Sequence, residues 1–408
     1  MLKTLKRIAL LLICTCCSAC NTAAPVDKAK PLHKIKSGKE NTLKVGASRF
    51  EVYLPLLEGK KVAVIANATS MVDDRHLIDA LLRRDVEIVK VFAPEHGFRG
   101  EQDAGEKVND TADKETGLPI ISLYGANKKP SIKSMQDVDI MVFDIQDVGV
   151  KFYTYLSTLH YVMEACAETS TPLILLDRPN PNGFYIDGPV LKPGFESFVG
   201  LHPVPLVYGM TIGEYAKMIN GEGWLKNGVK CNLTVVKISG YTHDTLYELP
   251  LKPSPNLPNM TSIYLYPSLA LFEGTVISVG RGTDYPFQVL GHPEYKKGNF
   301  QFTPLPNAGA KNPKLSGKLS QGVDLRGFGL GQLQRKKQLS LYWLHSFYET
   351  APDKENFFLK NNFFNKLAGN DLLMQQIKEG QSLGAIRASW QADLKSFRRI
   401  RERYLLYN

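Results

Sequence analysis

A succession of short, almost wholly apolar runs, each closed by polar residues and separated by helical patterns, limits this chain to few architectures. Lys61 to Ala66, Glu87 to Phe92, Leu118 to Tyr124, Asp139 to Asp144 and Leu173 to Leu176 read as strands. Between them, Asp74 to Arg84 places Leu77, Ile78, Leu81 and Leu82 on one helical face, and Tyr153 to Glu168 is a second helix. Runs this apolar are buried on both faces, so the pattern predicts an α/β fold around a mostly parallel sheet. Thr211 to Ile219 reads as a helix with Thr211 at its N-cap and Glu214 three residues on, a capping box. Asn232 to Ile238 is a further strand, residues 298–326 read as loop, and Asp393 to Tyr404 is a basic helix.

Sheets of this kind bind ligands outside the carboxyl ends of their strands. There the sequence places Asn67, the block Glu95-His96-Gly97-Phe98-Arg99-Gly100, the block Asp144-Ile145-Gln146-Asp147-Val148-Gly149, and Asp177-Arg178-Pro179-Asn180-Pro181. The first turn has no glycine fingerprint, and no phosphate loop occurs, so a nucleotide site is not indicated. Glu95 is the leading catalytic candidate. A general acid must keep its proton near neutral pH, and burial at a strand end favours that form. Phe152, Tyr153 and Tyr155 are candidates for a wall on which a sugar stacks. Glu273 precedes Gly274-Thr275, and Arg281 lies between two glycines, where its fork can grip a carboxylate, either of a ligand or of Glu273. The spacing of Asp144, Asp147 and Asp177 matches no metal loop. Ser278 lacks a nucleophile elbow, which disfavours serine hydrolysis.

The net charge of +10 favours acidic partners, yet no zinc-finger spacing or long basic helix points to nucleic acid. Lys3, Lys6 and Arg7 precede the apolar Ile8 to Ile13, and Ser18-Ala19-Cys20 follows. Residues 1–19 therefore read as a secretory leader. Its end resembles a bacterial lipobox with Cys17 where Leu is usual, which makes Cys20 the expected lipidation site. Residues 20–44 read as a linker. Of the six cysteines, Cys14, Cys16 and Cys17 leave with the leader, and a Cys166–Cys231 bridge remains open. These features predict an envelope protein tethered by a lipid on the periplasmic or outer surface.

The polar blocks named above, together with Tyr153-Thr154-Tyr155, Gly209 to Glu214, Pro253-Ser254-Pro255-Asn256, Glu273-Gly274-Thr275 and Gly280-Arg281-Gly282-Thr283, closely resemble the NamZ-like exo-β-N-acetylmuramidases, glycoside hydrolase family 171. The resemblance runs from about residue 45 to the carboxyl end. Lys151 departs from it, since relatives commonly carry Arg there. It implies a Rossmann-like domain over 45–204, a smaller C-terminal α/β domain over 205–408, and an active site in the cleft between them. It also implies release of terminal N-acetylmuramic acid from the non-reducing ends of peptidoglycan fragments, without metal or organic cofactor. Glu95 is then the acid and Glu273 the second carboxylate, unless the substrate's acetamido oxygen takes that role. Asn67, His96, Arg99, Asp144, Gln146, Asp147, Lys151, Tyr153, Tyr155 and Arg281 are the expected substrate contacts. A cationic pocket would select the lactyl carboxylate of muramic acid. A non-catalytic wall-glycan-binding lipoprotein, a secreted hydrolase of a related glycan and a structural envelope protein are the alternatives.

Overall fold

Side chains alternate across a strand, so a run such as Val62-Ala63-Val64-Ile65-Ala66 must bury two faces at once. The computed structural model, which describes residues 43–95, 97–98, 111–328 and 330–408, shows how it does so. The expected leader, Cys20, His96 and Arg99 lie outside the described residues. The central sheet has seven strands: β1 (Val62–Ala66), β2 (Ile88–Ala93), β3 (Thr111–Ala112), β4 (Pro119–Ser122), β5 (Ile140–Asp144), β6 (Leu173–Leu176) and β7 (Leu233–Val236). Their lateral order is β7-β6-β5-β1-β2-β4-β3. Every pairing is parallel except that of the short edge strand β3 with β4. With β3 set aside, the chain steps outward from β1 through β2 to β4, then returns to the other side of β1 for β5, β6 and β7. That is the doubly wound, Rossmann-like order, with its reversal between β1 and β5.

Two cores follow from the alternation. Ala63, Ile65, Met141, Phe143, Leu173 and Leu175 face one, together with Leu156, Leu159 and Met163 of the helix Tyr155–Thr169. Val62, Val64, Val142, Ile174 and Leu176 face the other, against Tyr53 and Leu57 of the helix Phe50–Leu57 and Leu77, Ile78 and Leu81 of the helix Leu77–Leu82. The first core continues into Ile263, Leu265 and Leu269 of the helix Met260–Leu269 and on to Leu394 and Phe397 of the helix Gln391–Glu402.

The expected capping box is present: Thr211 Oγ1 accepts from Glu214 N, and Thr211 N donates to Glu214 Oε2, 2.9 Å away. The helix expected from Asp74 starts only at Leu77, because the tight hairpin of Met71–Val72 with Arg75–His76 precedes it. The sheet does not stop at residue 204. Residues Leu233–Val236 add β7 beside β6, which would otherwise be an open edge.

Residues 298–326, expected as loop, supply two strands of a small antiparallel sheet: Phe300–Phe302 and Ser320–Asp324, the latter also pairing with Val289–His292. Close backbone approach makes it compact, for a Cβ on Gly322 would lie 1.7 Å from Leu290 O. Cys166 and Cys231 are buried free thiols, so no bridge joins them. Among the described residues no helix is long and apolar enough to cross a membrane.

Candidate active site

At the reversal between β1 and β5, where doubly wound sheets leave a crevice, this chain fills the space with its own side chains. Arg178 grips fully buried Asp144 through both oxygens, Nε to Oδ1 at 2.6 Å and a terminal nitrogen to Oδ2 at 2.8 Å. Asn67 Oδ1 accepts from Thr69 N and Oγ1, while Asn67 Nδ2 donates to Tyr155 Oη at 2.8 Å. Gln146 Nε2 donates to Asp147 O and Pro179 O. Asp147 Oδ2 accepts from Tyr208 Oη and from Gly149 N, and burial pushes its pKa up to about 6. These side chains tie the turns after β1, β5 and β6 to one another, and of them only Tyr155 lines the cavity described next. Lys151 is buried too. Its ammonium reaches Leu367 O at 3.0 Å, and desolvation lowers its pKa to about 7. Asn67, Asp144, Gln146, Asp147 and Lys151, expected as substrate contacts, thus point into the protein. The polar side chains at these turns bond backbone groups and neighbouring side chains.

The cavity, of about 750 Å³, lies to one side of that reversal. Its sheet-side wall comes from segments that follow β2, β4 and β5. Glu95, 8% exposed, stands just after β2 and accepts a 2.5 Å hydrogen bond on Oε2 from Thr154 Oγ1. Tyr124 and Lys128 follow β4. Tyr153 and Tyr155 follow β5 and pack edge to face at 4.8 Å, with Tyr153 Oη anchored on Pro253 O at 2.7 Å. Tyr266 and Phe287, themselves edge to face at 4.8 Å, add further aromatic wall.

Glu273 and Arg281 also line the cavity. Glu273 sits in the short 3-10 helix Ala270–Gly274, held against the chain at Phe364 by Gly274, where a Cβ would meet Phe364 Cα at 2.4 Å. Gly280 and Gly282, with φ of +79° and +80°, turn the chain on either side of Arg281. The guanidinium meets Glu273 with Nε to Oε1 at 2.7 Å and a terminal nitrogen to Oε2 at 3.3 Å. Of the two partners open to Arg281 in the sequence, the structure shows the internal carboxylate.

Lys314 was not expected. The residue lines the cavity, and its ammonium lies within hydrogen-bond reach of four carbonyls, those of Phe272, Glu273, Thr275 and Ile277, among which its three N–H groups are shared. Burial lowers its pKa to about 8, against the opposing pull of Glu273. It lies in the stretch read as loop, where no periodicity marked it. Thr154 was visible only as the middle of the Tyr153-Thr154-Tyr155 block. Among the described residues no cluster of His, Cys, Asp or Glu could hold a metal ion.

Two carboxyl groups opening on one aromatic-walled cavity can deliver and receive protons at a bond held there, while the rings take the faces of a sugar. The fold and site therefore define a two-domain α/β protein of Rossmann-like order with a carboxylate-bearing cavity off the carboxyl edge of its sheet. Residues 62–261 match the N-terminal model, and residues 264–407 the C-terminal model, of the exo-β-N-acetylmuramidase NamZ; the chain belongs to that family. It is 38% identical to the peptidoglycan β-N-acetylmuramidase NamZ of Bacillus subtilis strain 168, over 93% of this chain and 95% of that one. A crystal structure of a DUF1343 family protein from Bacteroides fragilis is similar at 45% identity and a TM-score of 0.84, covering 90% of this chain and 99% of that one. A second from the same organism has 29% identity and a TM-score of 0.76, covering 91% and 100%.

Proposed function

We propose that this protein is an exo-acting glycoside hydrolase that releases terminal β-linked N-acetylmuramic acid from the non-reducing ends of peptidoglycan fragments. The observation that carries the reading is the presence of Glu95 and Glu273 on one aromatic-lined cavity, in a chain of the NamZ family. Glu95 is the general acid. It gives its proton to the glycosidic oxygen as the bond to the anomeric carbon breaks, and the leaving saccharide departs as an alcohol. Positive charge develops on the sugar ring as that bond breaks. Glu273, gripped through both oxygens by Arg281, is the carboxylate that faces this charge. A water adds at the anomeric carbon, its proton passing to a carboxylate of the site, so that muramic acid is released and the proton given by Glu95 is made good. Tyr153, Tyr155 and Tyr266 hold the ring. Arg281 and Lys314 line the cavity beside Glu273 and balance its charge, so that the lactyl carboxylate that separates muramic acid from glucosamine meets two basic groups there. We infer further that Cys20 carries a lipid. A Cys20→Ser variant should then leave the membrane fraction.

The test is product release from a chromogenic β-N-acetylmuramide beside the matching β-N-acetylglucosaminide, with Glu95→Gln as control. Release from the muramide alone, lost in the variant, is expected. No release from either substrate by folded protein would overturn the reading and leave glycan binding in its place.

A further inference from the structure

Residues at the tip of a tight turn are ordinarily glycine, asparagine or aspartate. This chain places Phe198 and Val199 there. Ser197 N donates to Gly200 O and Gly200 N to Ser197 O, both at 2.9 Å, so the two apolar residues cap a closed turn. The turn is pinned from below, where Ser157 Oγ donates to Phe198 O at 2.7 Å. Tyr161 stacks beside the Phe198 ring at 6.5 Å with an interplanar angle of 13°. The ring is nonetheless only half-buried, because it faces the cavity. Lys128 lines the same region, with its ammonium 4.7 Å from the centroid of Phe198. Among the described residues no carboxylate pairs with Lys128, whereas Arg281 across the cavity lining is fully engaged with Glu273.

A half-exposed ring held in a pinned turn is a platform for the face of a sugar, and a cation on that ring with no carboxylate partner among the described residues suits an anion carried by the same ligand. We propose that Phe198 and Lys128 form the leaving-group subsite, and that it selects saccharides carrying a carboxylate beyond the cleaved bond. The carboxylate comes from the lactyl group of a following muramic acid or from a peptide attached to it. This rests on the hydrolase reading for its place in the reaction, though the binding itself does not.

The test is therefore a binding measurement in the Glu95→Gln background, by calorimetry, with three ligands. These are the muramic acid–glucosamine disaccharide, whose leaving part is neutral, the peptide-free tetrasaccharide and the same tetrasaccharide bearing peptides. Lys128→Met should weaken at least one of the tetrasaccharides by roughly tenfold or more, as for loss of a charge-assisted hydrogen bond, and weaken the disaccharide far less. Lys128→Arg should restore most of the difference. A peptide is joined through the lactyl carboxylate and removes that charge, so an effect confined to the peptide-free tetrasaccharide assigns the contact to the lactyl group, and an effect on the peptide-bearing one assigns it there to a carboxylate of the peptide. Equal weakening of all three ligands, or no weakening, would overturn the subsite. Absence of turnover by the unmutated protein with tetrasaccharide binding intact would instead overturn the hydrolase reading.

Discussion

Thr154 Oγ1 donates a 2.5 Å hydrogen bond to Glu95 Oε2 and in doing so leaves its own helix uncapped. Threonine at the N-cap of a helix usually turns its hydroxyl onto the first amides, a contact worth about 1 kcal/mol. Here it is spent on the carboxyl group at the cavity, fixing which oxygen faces the hydroxyl. Thr154→Val should therefore lower kcat on the chromogenic muramide by about tenfold or more. The thermal midpoint should move little, because no cap is lost. A large fall in stability with kcat retained would show the hydroxyl to be structural.

Lys314 gathers four carbonyls from the segment that bears Glu273, so its ammonium sets the path of residues 272–277. Lys314→Met removes the donors and leaves those carbonyls facing one another. The expected result is a loss of kcat of roughly tenfold or more, with Lys314→Arg recovering part of it through its larger set of donors. The pH profile supplies a second readout. With its pKa lowered to about 8, Lys314 should contribute an alkaline limb to kcat that the Met variant lacks. An unchanged limb would remove Lys314 from the site's electrostatics.

Continuous apolar runs made β1, β5 and β6 legible, since a sheet buried on both faces leaves that mark in sequence. The hairpin of Met71–Val72 with Arg75–His76 left none, being two residues long on each side. The small antiparallel sheet was hidden because Ser320–Asp324 depends on backbone proximity at Gly322 rather than on apolar alternation. Glu95 and Glu273, picked out by their motifs, do open on the cavity. Asn67, Asp144, Gln146, Asp147 and Lys151 come from equally conspicuous blocks, yet their side chains turn inward. A sequence shows that polar groups gather at a strand end. It does not show which side of the turn each one takes, since that depends on partners as distant as Arg178 for Asp144 and Leu367 for Lys151.

The Asp144–Arg178 pair yields a stability prediction. Both side chains are almost wholly buried, and Arg178 also donates to Met71 O at 2.9 Å. Removing one member strands the other charge in the interior, which costs about 3–5 kcal/mol in comparable pairs. Arg178→Met should lower the denaturant midpoint accordingly, while the double variant Asp144→Leu with Arg178→Met should recover part of the loss. If Arg178→Met is as stable as the unmutated protein, the pair does not hold the turns after β1, β5 and β6 together.

Lys151 predicts a pH dependence of the opposite kind from that of a paired lysine. Burial holds its folded pKa at about 7, far below the value of about 10.4 for an exposed lysine. Between those values the unfolded chain binds a proton that the folded protein has released, so folding stability rises with pH. From pH 7.5 to pH 9 the gain from this one group is on the order of 1–2 kcal/mol. Lys151→Met removes the titrating amine and replaces it with an apolar chain of similar length. The variant should be more stable than the unmutated protein at pH 7.5, and the two unfolding curves should converge as the pH rises. Comparing the two proteins at each pH isolates Lys151 from Lys314, which is present in both. Parallel stability curves across this range would mean that Lys151 keeps its proton in the folded state, and would point to an anion bound beside it.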